Sequence, residues 1–454
     1  MPSDIKRLRL PDLIFNRRGT LTFRIILLVF GIALKLFFRR IEMVNADTVP
    51  TGTGVIFVMN HPNGLVDPAL VFVALPRQIS FLAKSTLFKM PVISFLLKTV
   101  EALPVYRRID EGADISKNQQ TFRAAEERLR DGGSIALFPE GVSHNSPTLL
   151  PLKTGAARIA LGAVSVGEEP IDLRIVPVGL YYTNKTTFRS EVLLHFGEAF
   201  RVGPVECDEH GQPPKEAVKD FTAMIEQAIR DVTLNAQNES ELHIAALAER
   251  IFAAASRENE HLGEKFEFRK QYVEQLEIDN ELSQRIASFD ESLSVNGLHP
   301  EHLSLARLPR NLVIRQAIFQ TWALVMLLPL TLFGTILHFP AYQLTKLTAH
   351  LFSRHGADDI ASTVKVLAGM VFIPLTWLIA AAALYFYSGS GLLAVASIPF
   401  SFIAGYIALY SWEEAAEMSG WANAIWIFLT DKESFLKMYI QRRELMRELR
   451  AFDN

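Results

Sequence analysis

From Val366 to Trp412, 47 consecutive residues carry no formal charge, and from Gln316 to Thr345 a further 30 carry none when His338 is counted as neutral. A bilayer core of about 30 Å is crossed by about 20 helical residues, so uncharged runs of this length are expected to lie in a membrane. The Ser388–Gly391 sequence SGSG divides the longer run into segments of 22 and 21 residues, which reads as a hairpin of two spans. Three spans in all would place Lys432, Lys437, Arg442 and Arg443 opposite the main domain, against the positive-inside tendency. That conflict disappears if the 316–345 run, interrupted by Pro329, bends back as a re-entrant pair, or if the short WANAIWIFL segment also crosses. Both topologies stay open at this level.

The opening 40 residues hold nine Lys or Arg, two acids and one apolar run, Ile25 to Leu34. Ten uncharged residues between Arg24 and Lys35 are too few to span, so an interfacial helix on anionic lipid is expected, its basic flanks reaching toward headgroups. A cleaved signal peptide is the competing reading, but no small-residue cleavage pattern follows the run. Over the 454 residues, 46 Lys and Arg stand against 49 Asp and Glu, a net charge of -3 that gives no reason to expect a nucleic-acid partner. A single cysteine, Cys207, excludes an intrachain disulfide and any zinc site built from several thiolates.

Between these membrane signals the texture changes. GVIFVMN, RQISFLA, ALPVY, GGSIALF, IDLRIVPVG and SEVLLHFG read as strands, and KNQQTFRAAEERLRDG as an amphipathic helix closed by glycine. The rhythm predicts an α/β domain over 51–232, a mixed sheet covered by helices, with its chemistry at the strand ends. It is preceded by the basic interfacial region, 1–50. An acidic helical subdomain follows at 233–312, its charge reading as a solvated face, and then a transmembrane helical region at 313–454 with a short tail.

Two clusters could carry chemistry. After the first strand comes NHPNGLVDP, in which His61 and Asp67 are six residues apart and would point about 240° apart on a straight helix. The intervening Pro62, Asn63 and Gly64 supply a turn that can fold Asp67 back onto the ring, fixing its tautomer and freeing the other nitrogen to take a proton from a hydroxyl. A capped helix start with a satisfied histidine is the bland alternative. The second cluster, FPEGVSHNSPTLLPLKTGAARIA, brings Glu140, Gly141, His144, Lys153 and Arg158 close in sequence; a lysine or arginine here suits phosphate, with Arg158 equally readable as a solvated helix position. Glu140 and His144 alone make a poor metal site, and no bound metal or cofactor is expected. Tyr106, Arg107 and Arg108, and Asn184, Lys185, Phe188 and Arg189, follow two further strands, where arginines suit phosphate or merely the surface. There is no GxSxG elbow and no phosphate loop of the GxxxxGK[ST] type.

Taken in order, NHPNGLVDP, LPVYR, FPEG and IVPVGL resemble the four blocks of the membrane glycerolipid acyltransferases, over roughly Gly54 to Phe200. The resemblance implies that His61 is a general base, Asp67 its partner, Arg107 a phosphate ligand, and Glu140 and Gly141 part of the acceptor site. Most of that family places four residues between histidine and aspartate; here there are five, as in the fungal-type glycerol-3-phosphate and dihydroxyacetone-phosphate acyltransferases, which the FRS at Phe188 to Ser190 also resembles. The expected function is then transfer of a fatty acyl group from acyl-coenzyme A or acyl-carrier protein to the sn-1 hydroxyl of glycerol 3-phosphate, in phospholipid biosynthesis. A lysophosphatidate or dihydroxyacetone-phosphate acyltransferase is the enzymatic alternative, and an inactive lipid-binding scaffold the other. The implied partners are membrane lipid, glycerol 3-phosphate and the thioester donor, with the catalytic domain of a multi-pass protein facing the cytosol.

Overall fold

A computed structural model describes residues 5–16, 19–75, 77–107, 114–165, 170–209, 211–253, 261–275, 281–307, 310–353 and 358–450. In chain order the first part of the protein runs β1 (Ile5–Arg7), α1 (Leu10–Ile14), α2 (Leu21–Phe37), β2 (Arg40–Val44), β3 (Gly54–Met59), α3 (Val66–Ala74), β4 (Ser80–Lys84), α4 (Pro91–Thr99) and β5 (Leu103–Val105). It continues through α5 (Asn118–Arg130), β6 (Ser134–Leu137), α6 (Gly155–Ser165), β7 (Leu173–Tyr182), β8 (Glu191–Phe196), β9 (Phe200–Arg201) and α7 (Lys215–Asp231). All six apolar runs expected as strands are strands, β3 to β8. Among the described residues they join one mixed sheet of order β1-β2-β8-β7-β3-β6-β4-β5, with β9 paired to β7.

The middle of this sheet decides where chemistry can sit. Every residue of β3 is buried, as a strand covered on both faces requires. β3 runs parallel to β6 on one side and to β7 on the other, with Val55 opposite Ser134 and Arg174. The three C-terminal ends therefore lie side by side and deliver the loops Asn60–Leu65, Phe138–Thr154 and Thr183–Ser190 to one edge of the sheet. Ile56, Val58, Ile135 and Ile175 on the sheet, Ala125 and Leu129 of α5, Ala157 and Ala160 of α6, and Ile225 and Ile229 of α7 close a single core.

α2 has apolar residues on two faces. Phe23, Leu27, Leu34 and Phe37 are buried at helical spacing, with Phe23 edge-on to Phe72 of α3 at 5.0 Å, whereas Leu21, Ile25 and Val29 face outward. The segment expected as a separate region at 1–50 is thus part of the sheet unit, because β2 pairs with β8 and α2 packs on α3. Short strand β2 was not legible beforehand, its RIEMV sequence being masked by the basic flank of the apolar run. Its buried Glu42 accepts from Arg7 Nε at 2.9 Å and from the backbone of Leu262 at 2.6 Å, which ties the segment His261–Phe266 to the same unit.

Within α5, Glu126 packs toward α6, where Gly162 leaves room for its carboxylate, and burial pushes its pKa up to about 7. A raised acid pKa makes the folded state bind the extra proton, so stability falls as pH rises from the unfolded value near 4.5 through about 7. Glu126→Gln is therefore expected to stabilise the protein at pH 8 by about 1 kcal/mol once solvent screening is allowed for, with the gain shrinking toward pH 4.5. Denaturant midpoints at the two pH values test this; an equal effect at both would refute it.

The second unit comprises Asn238–Glu260, Glu267–Gly356 and Val364–Asn454. Its helices are α8 (Glu239–Ala253), α9 (Leu262–Gln275, from Glu267 onward), α10 (Glu281–Val295), α11 (Arg310–Ser353), α12 (Asp358–Ser388, from Val364 onward), α13 (Gly391–Thr430) and α14 (Lys432–Leu449). The polar helices before the uncharged runs and α14 after them share one core, in which Ile251, Ile286, Leu293 and Leu303 meet Phe435, Met438 and Leu445. The acidic region is thus not only a wet face, since Glu249 is buried against Arg269 at 2.6 Å.

Among the described residues, three helices are long and apolar enough to cross a bilayer, Ile318–Phe352, Ala361–Ser388 and Gly391–Thr430, the pattern of a multi-pass membrane protein. α11 is one continuous helix through Pro329 and Pro340, and WANAIWIFL is the end of α13 rather than a helix of its own. Helices α11 and α13 approach closely at Gly334: a Cβ there would fall 2.2 Å from the Ala404 carbonyl oxygen, and only glycine permits such contact. Thr331 donates to Ser411 at 2.9 Å and Trp412 Nε1 donates to Thr335 at 3.0 Å beside that point, satisfying polar groups that lipid would not.

Candidate active site

β3 ends where Asn60 turns its amide across to β7, donating to the Leu180 carbonyl at 3.0 Å and accepting from its N–H at 2.7 Å. His61 follows at the sheet edge. Pro62, Asn63 and Gly64 then reverse the chain, with the Asn63 carbonyl accepting from Val66 at 3.0 Å, so that α3 begins at Val66 and Asp67 sits in its first turn. The turn removes the 240° separation a straight helix would impose: Asp67 Oδ2 lies 2.8 Å from His61 Nδ1. The same oxygen accepts from the Asn63 backbone at 2.7 Å, and the other accepts from the Tyr182 hydroxyl.

Asp67 is fully buried, and the three donors satisfy it there. Burial, and next the charge of Asp67, push the Tyr182 phenol well above its usual pKa, so it stays protonated and serves as a donor. An ionised Asp67 can only accept, which places the His61 proton on Nδ1 and leaves Nε2 with its lone pair. The imidazole also stacks on Phe138, ring centres 4.1 Å apart. Ring, tautomer and orientation are therefore set by β6, β7 and α3 together.

Glu140, near the start of the loop after β6, holds the histidine from its backbone side. One carboxylate oxygen accepts from the His61 N–H at 2.8 Å; the other accepts from Leu150 N at 2.9 Å and pairs with His144 Nε2. The next residue, Gly141, has φ +76°, a left-handed turn that favours glycine, and its carbonyl accepts from Arg107 Nη1 at 2.8 Å. The stem of Lys153 passes 3.5 Å from where a Gly141 Cβ would stand, and its backbone donates to Pro139 at 2.7 Å. Four of the expected site residues, Arg107, Glu140, Gly141 and Lys153, are thus gathered around one loop.

A cleft beside this loop is bordered by Asn60, His61, Glu140, His144, Ser146 and Lys185, with Thr233 and Asn235 beyond. The Lys185 ammonium stands 3.4 Å from the His144 carbonyl and from Asn145 Oδ1. Arg189 goes elsewhere: with φ +66° it turns to the end of α2, its guanidinium 3.4 Å from the Lys35 carbonyl and its N–H 2.7 Å from that of Phe37. Arg158 is an exposed position of α6, and Arg108 lies outside the described residues. No group of three or more metal-ligating side chains occurs among the described residues. Sequence reasoning placed Asn63 in the turn but missed Tyr182 and Phe138; the one signal for Tyr182 was its place at the end of the strand next to β3.

Residues 40–181 match the family model described as Acyltransferase. The Saccharomyces cerevisiae glycerol-3-phosphate O-acyltransferase 2 is 34% identical over 135 residues, 30% of this chain and 18% of that protein. Glycerol-3-phosphate O-acyltransferase 1 of the same yeast is 26% identical over 281 residues, 58% of this chain and 36% of the relative. A 1-acyl-sn-glycerol-3-phosphate acyltransferase of Bacillus subtilis is 26% identical over 196 residues, covering 42% of this chain and 87% of its own. The matches thus span well under half of either yeast relative. The segment that builds the His61 site is an acyltransferase domain homologous to the glycerolipid acyltransferases.

Proposed function

We propose that the protein transfers a fatty acyl group from an acyl thioester, acyl-coenzyme A or acyl-carrier protein, to the sn-1 hydroxyl of glycerol 3-phosphate, forming lysophosphatidate for phospholipid synthesis. The observation that carries this reading is the 2.8 Å pairing of His61 Nδ1 with a buried Asp67, which leaves Nε2 basic at a cleft bordered by Lys185. His61 takes the proton from the acceptor hydroxyl as its oxygen attacks the thioester carbonyl. The C–S bond breaks, and the imidazolium returns the proton to the departing thiolate. Asp67 stabilises the charged ring between these steps. No cofactor is needed, because the thioester is itself a substrate.

Glycerol 3-phosphate is favoured as acceptor by the two yeast relatives and by the five residues between His61 and Asp67. Lysophosphatidate is the second reading, favoured by the Bacillus relative, which the match covers almost throughout. Purified protein in lipid, given labelled acyl-coenzyme A and each acceptor separately, decides between them; no transfer with either acceptor, and none with acyl-carrier protein as donor, would refute both. The apolar C-terminal helices and the outward Leu21, Ile25 and Val29 of α2 suit an enzyme whose product enters the bilayer, its catalytic unit on the cytosolic side.

Arg107 joins the proposed acceptor half through its bond to the Gly141 carbonyl. Arg107→Ala is expected to raise the KM for glycerol 3-phosphate roughly ten- to hundred-fold, the value of one or two charge-assisted hydrogen bonds, with little change in donor KM. A defect confined to the donor would assign Arg107 to the other half of the site.

A further inference from the structure

The first six residues of α12 belong to the sheet unit, which includes Ala357–Thr363, although the apolar stretch beginning at Ala361 is one of the three long enough to span a membrane. Ser362 and Thr363 are buried polar residues in the second turn. Thr363 Oγ1 accepts from the backbone N–H of Leu65 at 3.0 Å, and Ser362 donates to the Lys185 carbonyl. The same carbonyl accepts from the Asn63 side chain at 3.3 Å. Leu65 is the residue before α3, in the turn joining His61 to Asp67, and its N–H is one that the helix itself cannot satisfy.

We propose that Ser362 and Thr363 are positioning residues: the start of a membrane helix holds the turn between His61 and Asp67, and with it the pairing that makes the histidine a base. The start of α12, up to Thr363, is therefore a working part of the catalytic loop. This rests on the acyltransferase reading of His61, and two readouts keep the two ideas separable. In full-length protein in lipid vesicles, Thr363→Val keeps the shape and removes the acceptor oxygen, while Thr363→Ser keeps the oxygen. Thr363→Val is expected to lower kcat roughly five- to tenfold with both KM values unchanged, and Thr363→Ser to restore it, the scale of one lost hydrogen bond. Hydrogen exchange of the peptide covering residues 61–67 is expected to quicken in Thr363→Val and return to normal in Thr363→Ser, whatever the substrate. Unchanged exchange would overturn the proposal; faster exchange with unchanged kcat would reduce the contact to a structural one and overturn the positioning role. Absence of wild-type transfer would defeat the acyltransferase reading, leaving exchange to test the contact by itself.

A separate observation bears on how the apolar helices meet lipid. In the second unit, Leu298 and Leu303, before α11, share a core with Phe435, Met438 and Leu445, after α13. His302 packs on Trp421 with ring centres 5.1 Å apart, Asn423 donates to the Asn296 carbonyl at 2.9 Å, and Arg285 pairs with Glu448 at 2.9 Å. Groups in contact cannot lie on opposite sides of a hydrocarbon layer about 30 Å thick. We infer that the chain between residues 307 and 432 crosses the bilayer an even number of times, so that the three long apolar helices are not all complete crossings. This places Lys432, Lys437, Arg442 and Arg443 on the same side as α8 and α10 and removes the conflict with the positive-inside tendency.

In a Cys207→Ser background, single cysteines at the exposed positions Ser294 and Gln441 are tested in sealed, oriented vesicles with a membrane-impermeant maleimide. Both are expected to label from one side only, and from the same side. Labelling from opposite sides would overturn the inference.

Discussion

Replacing His61 with alanine is expected to lower kcat by roughly 10²- to 10⁴-fold while the protein remains folded, the range a positioned general base contributes to proton transfer. The reason is geometric. His61 Nδ1 is committed to Asp67 and its ring is stacked on Phe138, so only Nε2 remains to take the proton of an acceptor hydroxyl. The backbone bond from His61 to Glu140 survives the substitution, because the N–H and not the ring makes it. Acceptor and donor KM should therefore change little. Acyl transfer measured under single-turnover conditions, beside a thermal unfolding curve, provides the check. Wild-type rates in a folded His61→Ala protein would remove the histidine from the mechanism.

Asp67→Asn is expected to cost roughly 10²- to 10³-fold in kcat, for a different reason. The carboxylate accepts three hydrogen bonds, from His61, the Asn63 backbone and Tyr182, and it lies out of water. An amide in its place loses the negative charge that stabilises the imidazolium and presents an NH2 toward at least one donor that needs an acceptor. Tyr182→Phe separates these effects: it removes one neutral donor and leaves the charge, so its fall in kcat should be near tenfold. If Tyr182→Phe matched Asp67→Asn, orientation of the carboxylate would outweigh its charge. If neither variant differed from wild type, Asp67 would be a helix-start residue with no part in transfer.

These expectations rest on a pairing the sequence permitted without deciding. Asp67 six residues beyond His61 fits equally a solvated first turn or a carboxylate folded onto the ring. Asn63, whose carbonyl accepts from Val66 and whose N–H returns to Asp67, chooses the second. The Arg189 expectation shows the reverse. Its position after a strand suited a phosphate site, but a left-handed backbone turns it toward the end of α2. Lys185, four residues earlier on the same loop, is the cation that borders the cleft.

What the sequence determined by itself is whatever depends on periodicity and local chemistry. That includes six strands of apolar and β-branched residues, the helix closed by Gly132, the uncharged runs of α11 to α13, and the order of four short blocks along the chain. Tertiary structure decided everything that depends on which strand lies beside which. The parallel placement of β6 and β7 on either side of β3 brings Glu140 and Tyr182 to His61 from 79 and 115 residues beyond the residues they bond. Tertiary packing outside the sheet places Thr363 against Leu65 across 298 residues. Separations of that size leave no trace in a local pattern, because the free energy that selects them comes from burying the core of the whole sheet and not from any single segment.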